Sequence, residues 1–189
     1  MRKLILSMFM SLDGYFAGPN GEFVAPDWSD DMQHWADANT EETGMLLYGR
    51  VNFDFNAGFW QGHEHDANAS EKDRAFAHKM NTFPKICFSR TKSEVGWNGR
   101  VVKDNIAEEI NRLKHEPGKA LMSFGGANLA ATLIGLDVVD EYRLLLIPHL
   151  QGTGTHLFKG GYAEKKLKLI KARPLDTGAV MLCYERIAS

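Results

Sequence analysis

Two glycines stand where an apolar run meets a helical one, in Ala120-Leu121-Met122-Ser123-Phe124-Gly125-Gly126-Ala127-Asn128-Leu129-Ala130-Ala131. Lacking a Cβ, Gly125 and Gly126 let the backbone turn sharply and approach another molecule closely. A helix starting at Ala127 directs its unpaired N–H groups and the positive end of its dipole at that turn, which suits a phosphate or pyrophosphate. Three other segments at strand ends fit the same kind of ligand. In Tyr48-Gly49-Arg50-Val51-Asn52-Phe53, Gly49 permits close backbone approach, Arg50 is a permanent cation with a planar fork, and Asn52 adds a small polar group. In Phe88-Ser89-Arg90-Thr91, Ser89 offers a hydroxyl and Arg90 a second cation. The fourth, Met10 to Gly18, runs from a strand end through Ser11, Asp13 and Gly14 into a glycine-punctuated loop. Taken one at a time, each is equally a plain turn after a strand.

Other candidate chemistry is sparser. His63-Glu64-His65 holds three ligand-type side chains, but consecutive positions on an irregular loop rarely converge on one metal ion, and no metal site is assigned. Gly152-Thr153-Gly154 lacks the third glycine and following helix of a dinucleotide fingerprint. No phosphate-loop motif and no GxSxG elbow occurs. Phe55, Phe59 and Trp60 cluster beside the Arg50 turn, as packing or as a platform for substrate. Asp30 and Asp31 open a helix, where its dipole favours carboxylates.

The elements that must position these residues follow from the periodicity. Leu4 to Met10 reads as a buried strand, Met45 to Tyr48, Lys85 to Phe88 and Leu121 to Phe124 as further strands, and Arg100 to Lys103 as a short one. Helices are expected over Ser29–Thr43, over Ser70–Thr82 with Ser70 and Asp73 as a capping pair, after an Asp104 cap with Ile106, Ile110 and Leu113 inward and Gly118 at its end, and over Ala127–Ile134. Asn56 to Asn68, rich in Gly, His and Asn, reads as the longest loop. Tyr142 to Ile147, Leu167 to Ala172 and Val180 to Ile187 close the chain as strands, the last two joined by an Asp176-Thr177-Gly178 turn. Alternating strands and helices with a strand-rich end predict an α/β fold, a mostly parallel sheet with an antiparallel C-terminal edge. Ligands of such sheets bind at the carboxyl ends of the strands, where the four turns lie.

The 189 residues suit a single domain, residues 1–189, large enough for a core without disulfides or metal. A net charge of −2 gives no footprint for nucleic acid or an anionic membrane. Cys87 and Cys183 lie in apolar runs and read as buried thiols. No apolar run is long enough to span a bilayer and the N-terminus reads as a strand, so a cytoplasmic protein is expected.

In order and spacing, Ser11-Leu12-Asp13-Gly14, Gly49-Arg50-Val51-Asn52-Phe53, Ser89-Arg90, Gly125-Gly126-Ala127-Asn128-Leu129 and Pro148 with Gly152-Thr153-Gly154-Thr155-His156-Leu157-Phe158 resemble the dihydrofolate reductase fold. The closest likeness is to the reductase domain of bifunctional riboflavin-biosynthesis enzymes and their stand-alone relatives. The resemblance implies a three-layer α/β/α domain that carries NADPH across its strand ends. It places Gly49, Arg50 and Asn52 at the adenosine phosphates, Ser89 and Arg90 at the ribose 2′-phosphate, and Gly125, Gly126, Ala127, Asn128 and Leu129 at the pyrophosphate. The backbone around Phe9 to Ser11 and the loop from Asp13 through Gly14 to Gly18 would lie by the nicotinamide, and Thr155 would also meet the cofactor. It puts Asp31 where the folate enzymes keep a proton-donating acid. The activity it implies is reduction of a small heterocycle, of the 5-amino-6-(5-phosphoribosylamino)uracil type.

One departure bears on substrate. Folate enzymes place an arginine just before the strand that ends at Ser89, and Phe83 occupies that position. Lys85 is a poor substitute for a bidentate fork, so dihydrofolate is the disfavoured alternative. A non-catalytic NADP(H)-binding or sensor protein is the other, and the orientation of the Asp31 carboxylate discriminates. A homodimer is expected through the C-terminal strands, because Tyr142 to Pro148 is too apolar to leave at an open edge and Gly152 to Phe158 could reach a partner.

Overall fold

The computed structural model describes residues 1–124 and 126–187. Its elements run β1 (Leu4–Ser11), β2 (Tyr15–Ala17), α1 (Asp30–Glu42), β3 (Thr43–Gly49), α2 (Arg50–Glu64), α3 (Glu71–Thr82), β4 (Lys85–Phe88), β5 (Gly99–Val102), α4 (Ile106–His115), β6 (Ala120–Phe124), α5 (Ala127–Gly135), β7 (Glu141–Ile147), β8 (Thr155–His156), β9 (Leu167–Pro174) and β10 (Val180–Arg186). Eight strands form one sheet in the order β5-β4-β3-β6-β1-β7-β10-β9. The first six are parallel to their neighbours, and β10 and β9 add an antiparallel edge. The expected sheet is the one observed.

Alternation along β1 shows why the sheet is covered on both faces. Leu4, Leu6 and Met8 pack into one cluster with Ile110 and Leu113 of α4 and Leu129, Ala130 and Leu133 of α5. Ile5 faces the other way, with Phe53 of α2 and Met80 of α3, and Phe9 abuts the cluster of Met32, Trp35 and Ala36 of α1. Period-two strands between amphipathic helices give three layers, α4 and α5 below, the sheet, and α1, α2 and α3 above. Each buried leucine contributes about 1.5–3 kcal/mol relative to exposure. Both cysteines are free and buried, and burial raises both thiols above their ordinary pKa.

Three local expectations need correction. The expected Asn56–Asn68 loop is for most of its length the second half of α2. Gly58, Gly62 and the asparagines are weak helix formers, and of α2 only Phe53 is buried, so no apolar stripe announces it. Side chains secure it instead: Asn56 Nδ2 donates to the Asn52 carbonyl at 2.8 Å, and Trp60 Nε1 to Asn56 Oδ1 at 3.1 Å. The cap of α4 is Asn105, left-handed at φ 54° and making no side-chain cap bond, in place of Asp104, and the helix ends at His115, before Gly118. Finally, β7 is no open edge. It pairs with β1 on one side and β10 on the other, and the segment after Gly152 folds back onto β2 within the same chain.

Candidate functional site

All six parallel strands end on one edge of the sheet, at Ser11, Gly49, Phe88, Val102, Phe124 and Ile147. β3 and β6 are neighbours there, Leu47 opposite Ser123, and each passes directly into a helix. α2 starts from Gly49 and α5 from Gly126, on opposite faces of the sheet, so two helix N-termini flank one cleft. Gly126 sits at φ +95°, a conformation that glycine adopts without strain. Gly125 lies outside the described residues.

These two N-termini differ from the others. Ser29 and Ser70 cap α1 and α3, accepting from the N–H groups of Met32 and Asp73. α4 carries Glu108 and Glu109 in its first turn. α2 and α5 have neither a side-chain cap nor an acid in the first turn. Their leading N–H groups and positive dipole ends have the chemistry to receive an anion. Asn52 Nδ2 donates across the cleft to the Phe124 carbonyl at 3.4 Å, joining the two starts. Ala127 and Leu129 turn their side chains into the core, so only their backbone faces the cleft, whereas Asn128 is exposed.

The arginines make the charge balance explicit. Of the nine in the chain, Arg2, Arg74, Arg100, Arg112, Arg143, Arg173 and Arg186 bond to protein oxygens. Among the described residues, Arg50 and Arg90 have no such partner, and both are exposed. Gly49 pairs with Phe88, so the two guanidiniums leave adjacent strand ends one and two residues on. Ser89 shapes this turn. Its hydroxyl accepts from the N–H groups of Thr91 at 3.3 Å and Lys92 at 3.1 Å, and its own N–H bonds Val102 at 3.0 Å. That leaves Ser89 as a support for Arg90.

The first strand end is a clasp. Ser11 Oγ donates to Asp13 at 2.5 Å and accepts from the Tyr15 N–H at 2.9 Å. Asp13 also receives the N–H groups of Gln151 at 3.0 Å and Gly152 at 2.8 Å. These bonds, the Ser11 hydroxyl first, pull its pKa down to about 2, so it stands as a carboxylate. Gly14 closes a tight turn at φ +86°, and Gly18 bonds Glu22. Thr155 pairs with Ala17, and Gly154 beside it crosses so close that a Cβ would lie 2.1 Å from the Ala17 carbonyl. Ser11, Asp13, Gly14, Gly18 and Thr155 are therefore used to build the loops at the β1 end.

Asp31 is committed elsewhere. Arg173 donates to its carboxylate at 3.0 Å and the Asp176 N–H at 3.3 Å. Chiefly through Arg173, its pKa is lowered. A carboxylate so held has no proton to give near neutral pH, which is the reverse of the donor's role expected from the resemblance. Ser29 joins the same contact by donating to Asp176 at 2.6 Å, so this cluster ties the start of α1 to the β9–β10 turn.

Two features escape sequence reasoning. Lys159 Nζ bonds Asn128 Oδ1 at 2.7 Å and brings a cation to the first turn of α5 from 31 residues away. His156 stacks on Tyr15 with centroids 4.0 Å apart, walling the β1 end. Neither has a local signal, since both arise from where the segment after β7 folds back. The His63-Glu64-His65 run ends α2 with Glu64 bonded to Asn81 and His78. Two open hollows, of about 480 and 550 Å³, lie by Trp97 and Asn98 at the opposite edge of the sheet, away from every strand-end turn.

The eight-stranded sheet, six strands parallel with an antiparallel β10–β9 edge and helices on both faces, has the fold of the dihydrofolate reductase-like α/β class. Within that class, a model of the RibD C-terminal domain matches residues 2–181, and the chain belongs to that family. Protein YyaP of Bacillus subtilis (strain 168), itself uncharacterised, is 34% identical over 97% of this chain and 94% of its own. A Shewanella sp. PV-4 protein assigned to riboflavin biosynthesis superposes with a TM-score of 0.77 at 21% identity, covering 100% of both chains. The diaminohydroxyphosphoribosylaminopyrimidine deaminase/5-amino-6-(5-phosphoribosylamino)uracil reductase of Thermotoga maritima gives 0.65 at 14% identity, over 98% of this chain and 57% of its own. Among the described residues no helix is long and apolar enough to cross a membrane.

Proposed function

We propose that this protein is an NADPH-dependent reductase of a small heterocycle, of the pyrimidine-reductase type. The observation that carries it is the pair of unpartnered guanidiniums, Arg50 and Arg90, beside two uncapped helix starts. The N–H groups at the start of α2 and α5 would hold the pyrophosphate, and Arg50 and Arg90 the 2′-phosphate. Lys159 would add a cation at α5. From β4 to β1 is three strand spacings, roughly 14 Å, a span suited to an extended dinucleotide with its nicotinamide beside β1. Bound there, the reduced nicotinamide supplies a hydride. The protein's part is to hold the acceptor in line and exclude water. With Asp13 and Asp31 both held as carboxylates, the proton comes from solvent. Equilibrium titration with NADPH and NADH tests the reading: tighter binding of NADPH supports it, and equal binding rejects it.

The engagement of Asp31 favours a second reading, a non-catalytic NADP(H)-binding protein. Tight NADPH binding without turnover of any acceptor would establish it. Dihydrofolate remains disfavoured: Phe83 caps α3, and Lys85 turns its ammonium onto the Asn81 and Phe83 carbonyls. We also propose a homodimer, now through β9, the antiparallel edge, where Leu169 and Ile170 are exposed. Light scattering at micromolar concentration checks it, with twice the 21.2 kDa chain mass expected and 21.2 kDa contradicting it.

A further inference from the structure

We infer that the acceptor is a planar, uncharged molecule that carries neither phosphate nor carboxylate. This rests on the reductase reading and names the substrate class of that same site. Hydride passes only between atoms held in contact, so the acceptor lies where the nicotinamide does, beside the end of β1. On one face of β1 that place is filled: Met10, Phe16 and Leu157 pack there with the β2–β8 ribbon. On the other face stands Phe9, with Phe23 at 5.7 Å and Trp35 at 5.4 Å. Trp35 Nε1 is buried without a hydrogen-bond partner among the described residues, a donor that an acceptor carbonyl could satisfy after a small side-chain shift. Phe55 and Phe59 follow Asn52 at helical spacing along α2 and are 62% and 48% exposed, so the inferred site would extend along them. Flat apolar rings offer stacking to a flat ring.

Free positive charge is what this neighbourhood lacks. Residues 4–49 supply β1, β2, α1, β3 and the loops between them, and contain no lysine or arginine but eight carboxylates. Residues 51–71 and 144–158 contain no lysine or arginine either. Two cations reach the first turn of α1 from outside and both are taken, Arg173 by Asp31 at 3.0 Å and Lys72 by Asp30 at 4.0 Å, while Arg143 and Lys119 bond to its far end at Glu42 and Glu41. The free guanidiniums stand at β3 and β4. A phosphorylated acceptor would be desolvated among carboxylates with no counter-ion, whereas a neutral one meets no such penalty. In the reaction, the C–H bond of the reduced nicotinamide breaks, and its hydride bonds to an electron-poor ring atom of the acceptor. NADP⁺ is left, and a proton from water completes the two-electron reduction.

Two pairs of probes isolate the charge: riboflavin against its 5′-phosphate, and 1,4-naphthoquinone against its 2-sulfonate. Each pair shares a planar hydride-accepting ring and differs by one anionic group. Protein saturated with NADP⁺ is titrated by tryptophan fluorescence, which Trp28 and Trp35 report from this end, and NADPH oxidation is followed in parallel. At least one neutral probe should bind, and its anionic twin at least tenfold more weakly. Equal or tighter binding of an anionic twin, or no binding of either neutral probe, overturns the inference. Phe59→Arg should narrow the gap threefold or more, and an unchanged gap overturns the placement on α2. The two readings fail separately: loss of NADPH binding sinks the reductase reading itself, while normal NADPH binding with an anionic preference sinks only the charge argument.

Discussion

At the ends of β3, β4 and β6 the chain leaves its polar groups open, with two helix starts uncapped and two arginines unpaired. At the end of β1, a strand away, it closes them. Ser11, Asp13, Gln151 and Gly152 bond to one another, Asp31 is held by Arg173, and the remaining wall is aromatic. Satisfied groups set the shape of a site, and unsatisfied ones set what it binds. On the proposed reading the first region receives anions, and the second is a shaped wall whose charged groups are already paired.

The largest effect should come from filling the open region. Gly126→Val places a β-branched residue at φ +95° and a side chain before the start of α5. We expect NADPH affinity to fall about a hundredfold, roughly the 1.5–3 kcal/mol of one or two lost charge-assisted bonds, while circular dichroism shows the fold intact. Normal NADPH binding by the folded variant would remove the phosphate role from this turn.

Asp31→Asn probes the closed region. If Asp31 were the proton donor, kcat would drop by roughly 10²–10⁴. We expect a change of less than about threefold, since the wild-type group already lacks a proton at neutral pH. A drop of a hundredfold, with a pH–rate limb abolished, would restore the catalytic role.

The clasp can also be opened by acid. Asp13 has an ordinary value of 3.8 and is held at about 2 in the fold, so its contribution is complete above 3.8 and is lost as pH falls towards 2. Hydrogen exchange at Gln151 and Gly152, corrected for intrinsic rates, should lose protection across that window, and Asp13→Asn should lose it at neutral pH. Unchanged protection in the variant would separate the low pKa from the clasp. The smallest effect belongs to Lys159→Ala, an exposed contact, where NADPH affinity should weaken about twofold to fivefold. An effect as large as that of Gly126→Val would mean that the open region is centred on α5 alone.

What was legible in the sequence was local. The continuous apolar runs of β1, β4 and β7 announced a sheet covered on both faces, and the glycines and arginines after β3, β4 and β6 marked its carboxyl edge. Helix α2 was hidden because its residues are poor helix formers stabilised by packing on α3 and by side-chain bonds. The closed region was hidden for another reason. Asp31 and Arg173 lie 142 residues apart and Asp13 and Gly152 139 apart, and no periodicity couples such positions. A carboxylate at a helix start looks the same in sequence whether it waits for substrate or is held by an arginine.

The central claim is that, among the described residues, the unpaired guanidiniums stand at the dinucleotide end, where Arg50 and Arg90 carry them. The most direct measurement is the affinity of NADPH and of NADH, by isothermal titration, for the unmodified protein and for the Arg50→Ala/Arg90→Ala double variant. The account predicts that NADPH binds tighter than NADH by on the order of tenfold to a hundredfold, as charge-assisted bonds to one phosphate allow. It predicts that the double variant binds the two nucleotides equally, with its NADH affinity little changed. Equal affinities in the unmodified protein, or a preference for NADPH that survives both substitutions, would contradict it.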